Sequence, residues 1–215
     1  MIIHIVGGGP EEFLPDLLQY KEKELFWIGV DRGTRYLMER GITPDLAIGD
    51  FDSIRHEDME LYKDQIFKIL TYQPEKDETD MELALRYAIG KSPSLIRIFG
   101  ATGGRLDHLL ANIFLLKKAQ ELKSDITVEI IDSFNVAWIS SPGKYTIRKD
   151  EHKYISFLPL SEHVKNLTLI GFKYPLKECH ILFGSTLCIS NELISNEGTY
   201  SFSEGTLMVV KAKDK

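Results

Sequence analysis

Apolar residues change their spacing near residue 134, and the change divides the chain in two. Before it, short apolar runs alternate with longer amphipathic stretches. The runs 2–6, 25–30, 46–49, 66–70, 95–99 and 126–131 are each mostly apolar and closed by Gly, Asp or a turn cluster, which predicts strands. Helices are predicted between them near 11–22, 33–40, 79–89 and 106–122. In the last of these, Leu106, Leu109, Leu110, Ile113 and Leu116 recur at helical spacing and predict one apolar face, interrupted only by Lys117. Strands alternating with helices imply βαβ units and a mostly parallel sheet. After residue 134 the runs 135–139, 144–148, 153–158, 166–170, 180–183, 186–190, 199–203 and 206–211 are separated by Gly, Pro, Asn and Ser. Short strands at that spacing predict a small β-sandwich or open barrel. The expected fold class is therefore α/β: a mostly parallel sheet with flanking helices over 1–134, then a smaller all-β sandwich domain over 135–215.

Composition narrows the class. The 215 residues suit one large or two small domains, and 43% hydrophobic with 27% charged residues is ordinary for a globular chain, not a disordered or fibrous one. No apolar run approaches the roughly 18 residues of a membrane span, and the N-terminus lacks the basic and apolar regions of a signal peptide. Two cysteines, Cys179 and Cys188, are too few for a disulfide scaffold, so a cytoplasmic location is the expectation. The net charge of −6 argues against nucleic acid as a partner. That charge is local: 23 acidic and 16 basic residues fall in 1–130, against 9 and 10 in 131–215.

The polar clusters follow the predicted strands. Gly7-Gly8-Gly9-Pro10 follows the first, Asp31-Arg32-Gly33 the second, and Gly49-Asp50-Phe51-Asp52-Ser53 the third. Lys76-Asp77-Glu78-Thr79-Asp80 comes a short loop after the fourth, and Gly100-Ala101-Thr102-Gly103-Gly104-Arg105-Leu106-Asp107-His108 follows the fifth. In an open parallel sheet all these strand ends lie along the edge where ligands bind. Each cluster has two readings. Gly103-Gly104 either turns the chain or lets backbone N–H groups approach a phosphate. Asp50-x-Asp52 either forms turns or shares a Mg²⁺ ion. Thr79 and Glu82 form a capping-box pattern, and Asp80 in the first helical turn suits either the helix dipole or a metal. Arg105 is either a surface ion pair or a fork for an oxyanion, and His108 is more often a structural partner than a base. A Walker loop is missing, because Leu85 stands where Gly90-Lys91-Ser92 would need glycine, and Glu12 breaks a Gly-x-Gly-x-x-Gly after the first strand. No Cys/His spacing suits zinc.

Taken in order, Gly49-Asp50-Phe51-Asp52-Ser53-Ile54, Asp77-x-Thr79-Asp80 and Gly104-Arg105-Leu106-Asp107-His108 resemble the signature segments of the thiamine pyrophosphokinase (thiamine diphosphokinase) family. Asp31-Arg32-Gly33 is similar to that family's Asp-Gly-Gly, with Arg32 in place of the first glycine. Gly171-Phe172-Lys173-Tyr174-Pro175-Leu176 resembles its Gly-Leu-Lys-aromatic segment, with Tyr174 where some members have Trp, and Ser190-Asn191 resembles its Ser-Asn pair. The resemblance implies transfer of the pyrophosphoryl group of ATP to thiamine, giving thiamine diphosphate and AMP, with Mg²⁺. It implies a nucleotide- and Mg-binding catalytic domain over 1–134 and a thiamine-binding, dimerising domain over 135–215. It also implies a homodimer with active sites at the subunit interface. Bare carboxylates would repel a triphosphate, so Asp50, Asp52 and Asp80 are assigned to Mg²⁺, with Asp31 as a further ligand. Asp31, Gly33, Thr79, Gly103, Gly104 and Arg105 would bind ATP, and Asp107 would either orient Arg105 or accept the hydroxyl proton. Tyr174 would stack on thiamine, with Ser190 and Asn191 on its pyrimidine edge. Two rivals share the motifs: a haloacid-dehalogenase-like phosphatase using Asp50 and Asp52, and a non-catalytic nucleotide sensor. The phosphatase family places its Asp-x-Asp after the first strand; here it follows the third.

Overall fold

A computed structural model describes residues 1–51, 56–71 and 77–215, with His56 and Met59 described by backbone alone. The described chain forms two compact units, Met1–Ser133 and Phe134–Lys215.

The first unit holds six parallel strands: β1 (Ile2–Val6), β2 (Leu25–Val30), β3 (Leu46–Gly49), β4 (Lys68–Thr71), β5 (Leu95–Phe99) and β6 (Thr127–Ile131). They lie in the order β4-β3-β2-β1-β5-β6. Helices α1 (Arg32–Glu39), α2 (His56–Lys63), α3 (Asp80–Gly90) and α4 (Leu106–Leu122) occupy the crossovers. The central strands are buried on both faces, with Ile3, Ile5, Ile28 and Ile98 fully enclosed on one and Val6, Ala47 and Phe99 on the other. This is why they read as continuous apolar runs rather than alternating ones. The chain builds outward from β1 through β4, then returns to the other side of β1 with β5. That reversal makes a topological switch point between the ends of β1 and β5, the usual crevice for ligands in open α/β sheets.

Four local features differ from, or add to, the expectation. Residues 11–22 form two short 3₁₀ turns, Glu11–Phe13 and Leu17–Gln19, not a helix. Pro15 separates them, having no N–H to continue a helix, and Asp16 caps the second by accepting from the Leu18 N–H at 3.0 Å. Helix α2 has no counterpart in the reading above, because His56–Lys63 is mostly polar and carries little apolar period. β4 begins at Lys68, and Ile66 instead packs with Ala47 and Phe51. In α4 the buried residues are Leu115, Leu116 and Ala119, whereas Leu106, Leu110 and Phe114 are exposed. The predicted apolar face of that helix is thus only partly covered: Leu116 is buried, Leu109 and Ile113 are half-buried, and Leu106 and Leu110 are exposed.

The second unit is antiparallel. It contains β7 (Asn135–Ser140), β8 (Gly143–Arg148), β9 (Tyr154–Pro159), β10 (His163–Ile170), β11 (Leu176–Leu182), β12 (Glu197–Phe202) and β13 (Leu207–Ala212). β13 pairs with β7 and β9, and the remaining strands form a sheet in the order β11-β10-β12-β8. Alternate residues of β9 and β12 point inward, and Phe157, Val209, Leu167, Leu169 and Tyr200 from both sheets share one core. A sandwich is the result. The predicted strand at 186–190 is absent. Those residues turn alongside β9, with the Cys188 carbonyl accepting from the Phe157 N–H at 2.9 Å.

Candidate active site

The switch point of the first unit opens into a cleft of about 1110 Å³. Two glycine loops form its floor and are stitched to each other: the Gly7 N–H donates to Phe99 O at 2.8 Å and the Gly9 N–H to Gly100 O at 2.9 Å. Gly103 has φ +76°, and a Cβ there would lie 2.7 Å from Phe13, so the loop before α4 admits glycine alone. Three further side chains fix these loops. Asn112 Nδ2 donates to Ala101 O at 2.9 Å, Thr102 Oγ1 to the buried Asp132 carboxylate at 2.8 Å, and Tyr36 Oη to Gly9 O at 3.2 Å. None of the three was legible as a site residue. Their partners lie 11 to 30 residues away, and no short motif encodes that distance.

Asp31 stands at the end of β2 and at the start of α1 with φ 48° and ψ −120°. A non-glycine residue held there costs on the order of 1–3 kcal/mol, and such strain concentrates at functional sites. Its carboxylate packs against the end of β3, where a Cβ on Gly49 would meet Asp31 Oδ1 at 1.8 Å. Arg32, the next residue, is exposed and lines the cleft. Gly33 does not line it. A Cβ at Gly33 would lie 1.9 Å from Val6 O, so its role here is the close packing of α1 on β1. Thr79 caps α3, its Oγ1 accepting from the Glu82 N–H at 3.2 Å. Glu82 engages Lys118 and Arg86 in turn, so this half of the capping box is the one the described hydrogen bonds show. Thr79 and Asp80 both line the cleft.

At the start of α4, Arg105 donates to Asp107 through Nε at 3.1 Å and through a terminal nitrogen at 2.6 Å. The fork raises the Arg105 pKa. The same hydrogen bond from Arg105 is the main cause holding the Asp107 carboxyl down at about 2. The two hydrogen bonds thus tie the Asp107 carboxylate to the Arg105 guanidinium.

The cleft brings together Asp31, Thr79, Asp80, Gly103, Gly104, Arg105 and Asp107. Asp50, half-buried after β3, is not in its lining. Asp52 falls outside the described residues. Among the described residues seven carboxylates and two guanidinium groups line the cleft, and no three His, Cys, Asp or Glu side chains converge into a ready-made metal site. Mg²⁺ is commonly held by one or two carboxylates with the remaining positions filled by water and phosphate oxygens. Asp31 and Asp80 supply such all-oxygen donors in the cleft, so the residues present fit it.

The other expected residues belong to the second unit. Tyr174 is exposed, Ser190 is exposed with φ 56°, and Asn191 is buried at 2% exposure. The Asn191 amide faces inward onto the main chain of Tyr174, not outward as a hydrogen-bonding edge for a ligand.

Comparison with known proteins places these features in context. Residues 17–130 match the family model "Thiamin pyrophosphokinase, catalytic domain", and residues 144–207 match "Thiamin pyrophosphokinase, vitamin B1 binding domain". The thiamine pyrophosphokinase of Bacillus subtilis is 50% identical over 213 residues, 99% of each chain. Its crystal structure superposes with a TM-score of 0.94 over the whole of both chains. That of the Geobacillus thermodenitrificans thiamin pyrophosphokinase gives 0.90 at 50% identity, covering 100% of this chain and 99% of that one.

Proposed function

The chain belongs to the thiamine pyrophosphokinase family and is a diphosphotransferase, and from that membership we propose how its own residues carry out the transfer. The observation that carries the reading is the cleft at the β1/β5 switch point, where glycine loops built for close approach meet a ring of carboxylates. Phosphate oxygens of ATP lie against the N–H groups of the 100–104 loop and against Arg105, which Asp107 holds in place. Arg32 adds a second guanidinium at the start of α1, where the dipole already favours an anion. Thr79 keeps α3 in register, so that Asp80 in its first turn faces the cleft.

Asp80 and Asp31, with Asp50 and with Asp52 two residues on in the sequence, are the residues that would hold Mg²⁺. Bound there, it would neutralise the charge that otherwise sets seven carboxylates against a triphosphate. The protein's share of such chemistry is mainly positioning and electrostatics, with little covalent work. The thiamine hydroxyl attacks the β-phosphorus and AMP leaves. Tyr174 presents an aromatic face to the cationic thiazolium and flat pyrimidine, a contact worth about 1–2 kcal/mol once desolvated.

We assign the exposed stripe Leu106, Leu110 and Phe114 to contact with a second copy of the chain. These residues recur every fourth position along the helix that begins at the cleft. A cytoplasmic location accords with two free cysteines and with the lack, among the described residues, of a helix long and apolar enough to cross a membrane.

Incubation with ATP, Mg²⁺ and thiamine tests the proposal: AMP and thiamine diphosphate form in equal amounts. Release of inorganic phosphate without thiamine would favour the phosphatase instead. Binding of nucleotide with no turnover would favour the sensor.

A further inference from the structure

In the second unit two irregular segments are strapped together. Residues 171–175 connect β10 to β11, and residues 190–194 precede β12. The Lys173 N–H donates to Glu192 O at 2.8 Å, the Ile194 N–H to Gly171 O at 3.1 Å, and Phe172 bridges Leu193. The second segment is itself fastened to β9, because Asn191 and Ile155 exchange both main-chain hydrogen bonds, at 2.7 and 2.9 Å.

The Asn191 side chain sits at the centre of this strap, 2% exposed. Its Oδ1 accepts from the N–H of Tyr174 at 3.0 Å and from its neighbour Glu192 at 2.9 Å. Its Nδ2 donates to the Tyr174 carbonyl at 2.8 Å. Two N–H donors on one side and a carbonyl on the other fix which end of the amide is which. Both main-chain polar groups of Tyr174 are therefore held by one buried side chain, while Tyr174 as a whole residue is 59% exposed. The side-chain ion pair between the segments, from Lys173 to Glu192 at 2.9 Å, joins an exposed ammonium to its partner and is screened by water. An exposed ring on a main chain clamped from both sides is a pre-oriented surface, which loses little freedom when a ligand stacks on it.

We propose that Asn191 is a positioning residue for thiamine: it does not touch the vitamin, but fixes the main chain of Tyr174 so that the ring is presented in one place. This rests on the assignment of Tyr174 as the stacking surface. It replaces the expectation that Asn191 bonds the pyrimidine edge, since three of the four hydrogen bonds its amide can make go to Tyr174 and Glu192 and the residue is 2% exposed.

The test is a double-mutant cycle read on the thiamine KM, with the KM for ATP as the internal reference. Asn191→Ala and Tyr174→Ala each raise the thiamine KM about tenfold, the loss of one stacking contact. The double variant is no worse than Tyr174→Ala alone, because once the ring is gone its orientation no longer matters. A purely structural loss would move both KM values and the thermal midpoint together. Asn191→Asp, of nearly the same shape, turns a carboxylate oxygen toward the Tyr174 carbonyl and should give the same rise if the alanine variant folds poorly. Multiplying effects, about a hundredfold in the double variant, would mean that Asn191 meets thiamine directly and would overturn the inference. So would an unchanged thiamine KM in a folded Asn191→Asp protein while Tyr174→Ala still raises it. If Tyr174→Ala itself leaves the thiamine KM unchanged, the assignment of the stacking surface fails first and the positioning role fails with it.

Discussion

Arg105 and Asp107 are both exposed at the start of α4, yet two hydrogen bonds bind them to each other. A surface ion pair of this kind adds little to stability, so under the proposed function its value lies in direction: the guanidinium would be aimed before substrate arrives. With its carboxyl held at about 2 by Arg105, Asp107 does not change charge anywhere near neutral pH. Asp107→Asn should lower kcat/KM for ATP by about tenfold, the order of one lost charge-assisted bond. The pH profile of kcat/KM between pH 5 and 9 should keep its shape. Disappearance of the acidic limb in that variant would make Asp107 the proton acceptor after all. The sequence exposed residues of this kind because Asp31, Asp80, Arg105 and Asp107 each follow a strand in a short local motif. It could not show the direction of a side chain whose partner is remote. Asn191 stands beside Ser190 in the chain, but its orientation is decided by Tyr174, 17 residues earlier. Asp132 is in the same position, since Thr102 is its partner.

At the scale of elements, the strands of the α/β unit were the most legible part, because burial on both faces leaves unbroken apolar runs. What failed was of two kinds. Pro15 divided a helical pattern that looked continuous, and the apolar period on α4 did not tell which of its residues are covered: Leu116 is buried, Leu106 and Leu110 are exposed. Periodicity reports that a face is apolar; it does not say what covers it. One polar residue inside β1 has a measurable consequence. His4 is fully buried among Trp27, Phe99 and Tyr20. Its Nε2 lies 3.5 Å from the Arg97 guanidinium, which Glu22 and Glu129 also engage. Burial first, and Arg97 second, push its pKa from 6.5 to about 3. The unfolded chain thus takes up a proton below pH 6.5 that the folded chain refuses, so stability falls as pH drops from about 6.5 toward 3. The slope is at most about 1.4 kcal/mol per pH unit. Denaturant midpoints at pH 7.5 and 5 should fall for the native chain and change less for His4→Leu. Equal losses in both proteins would place the acid sensitivity elsewhere.

For the whole molecule, the net charge of −6 is concentrated in the unit that holds the cleft. An acidic cleft for a polyanion is consistent only if cations share it, and the glycine loops, Arg32, Arg105 and the proposed Mg²⁺ carboxylates provide for that. The sandwich unit was legible as a class, from turn spacing and alternation, though not in the turn that replaces its expected strand at 186–190. Assembly is the level at which composition says least, and the exposed Leu106, Leu110 and Phe114 are where it can be tested. Phe114→Glu should shift sedimentation equilibrium from dimer toward monomer at micromolar concentration, because a buried charge opposes an apolar contact. An unchanged dimer would remove α4 from the interface. The central claim is that this chain moves a diphosphoryl group as one piece, and ATP labelled at the β-phosphorus tests it most directly. With Mg²⁺ and thiamine present, the label should pass into thiamine diphosphate, with one AMP formed for each. Label remaining in ADP, with inorganic phosphate released whether or not thiamine is added, would contradict it.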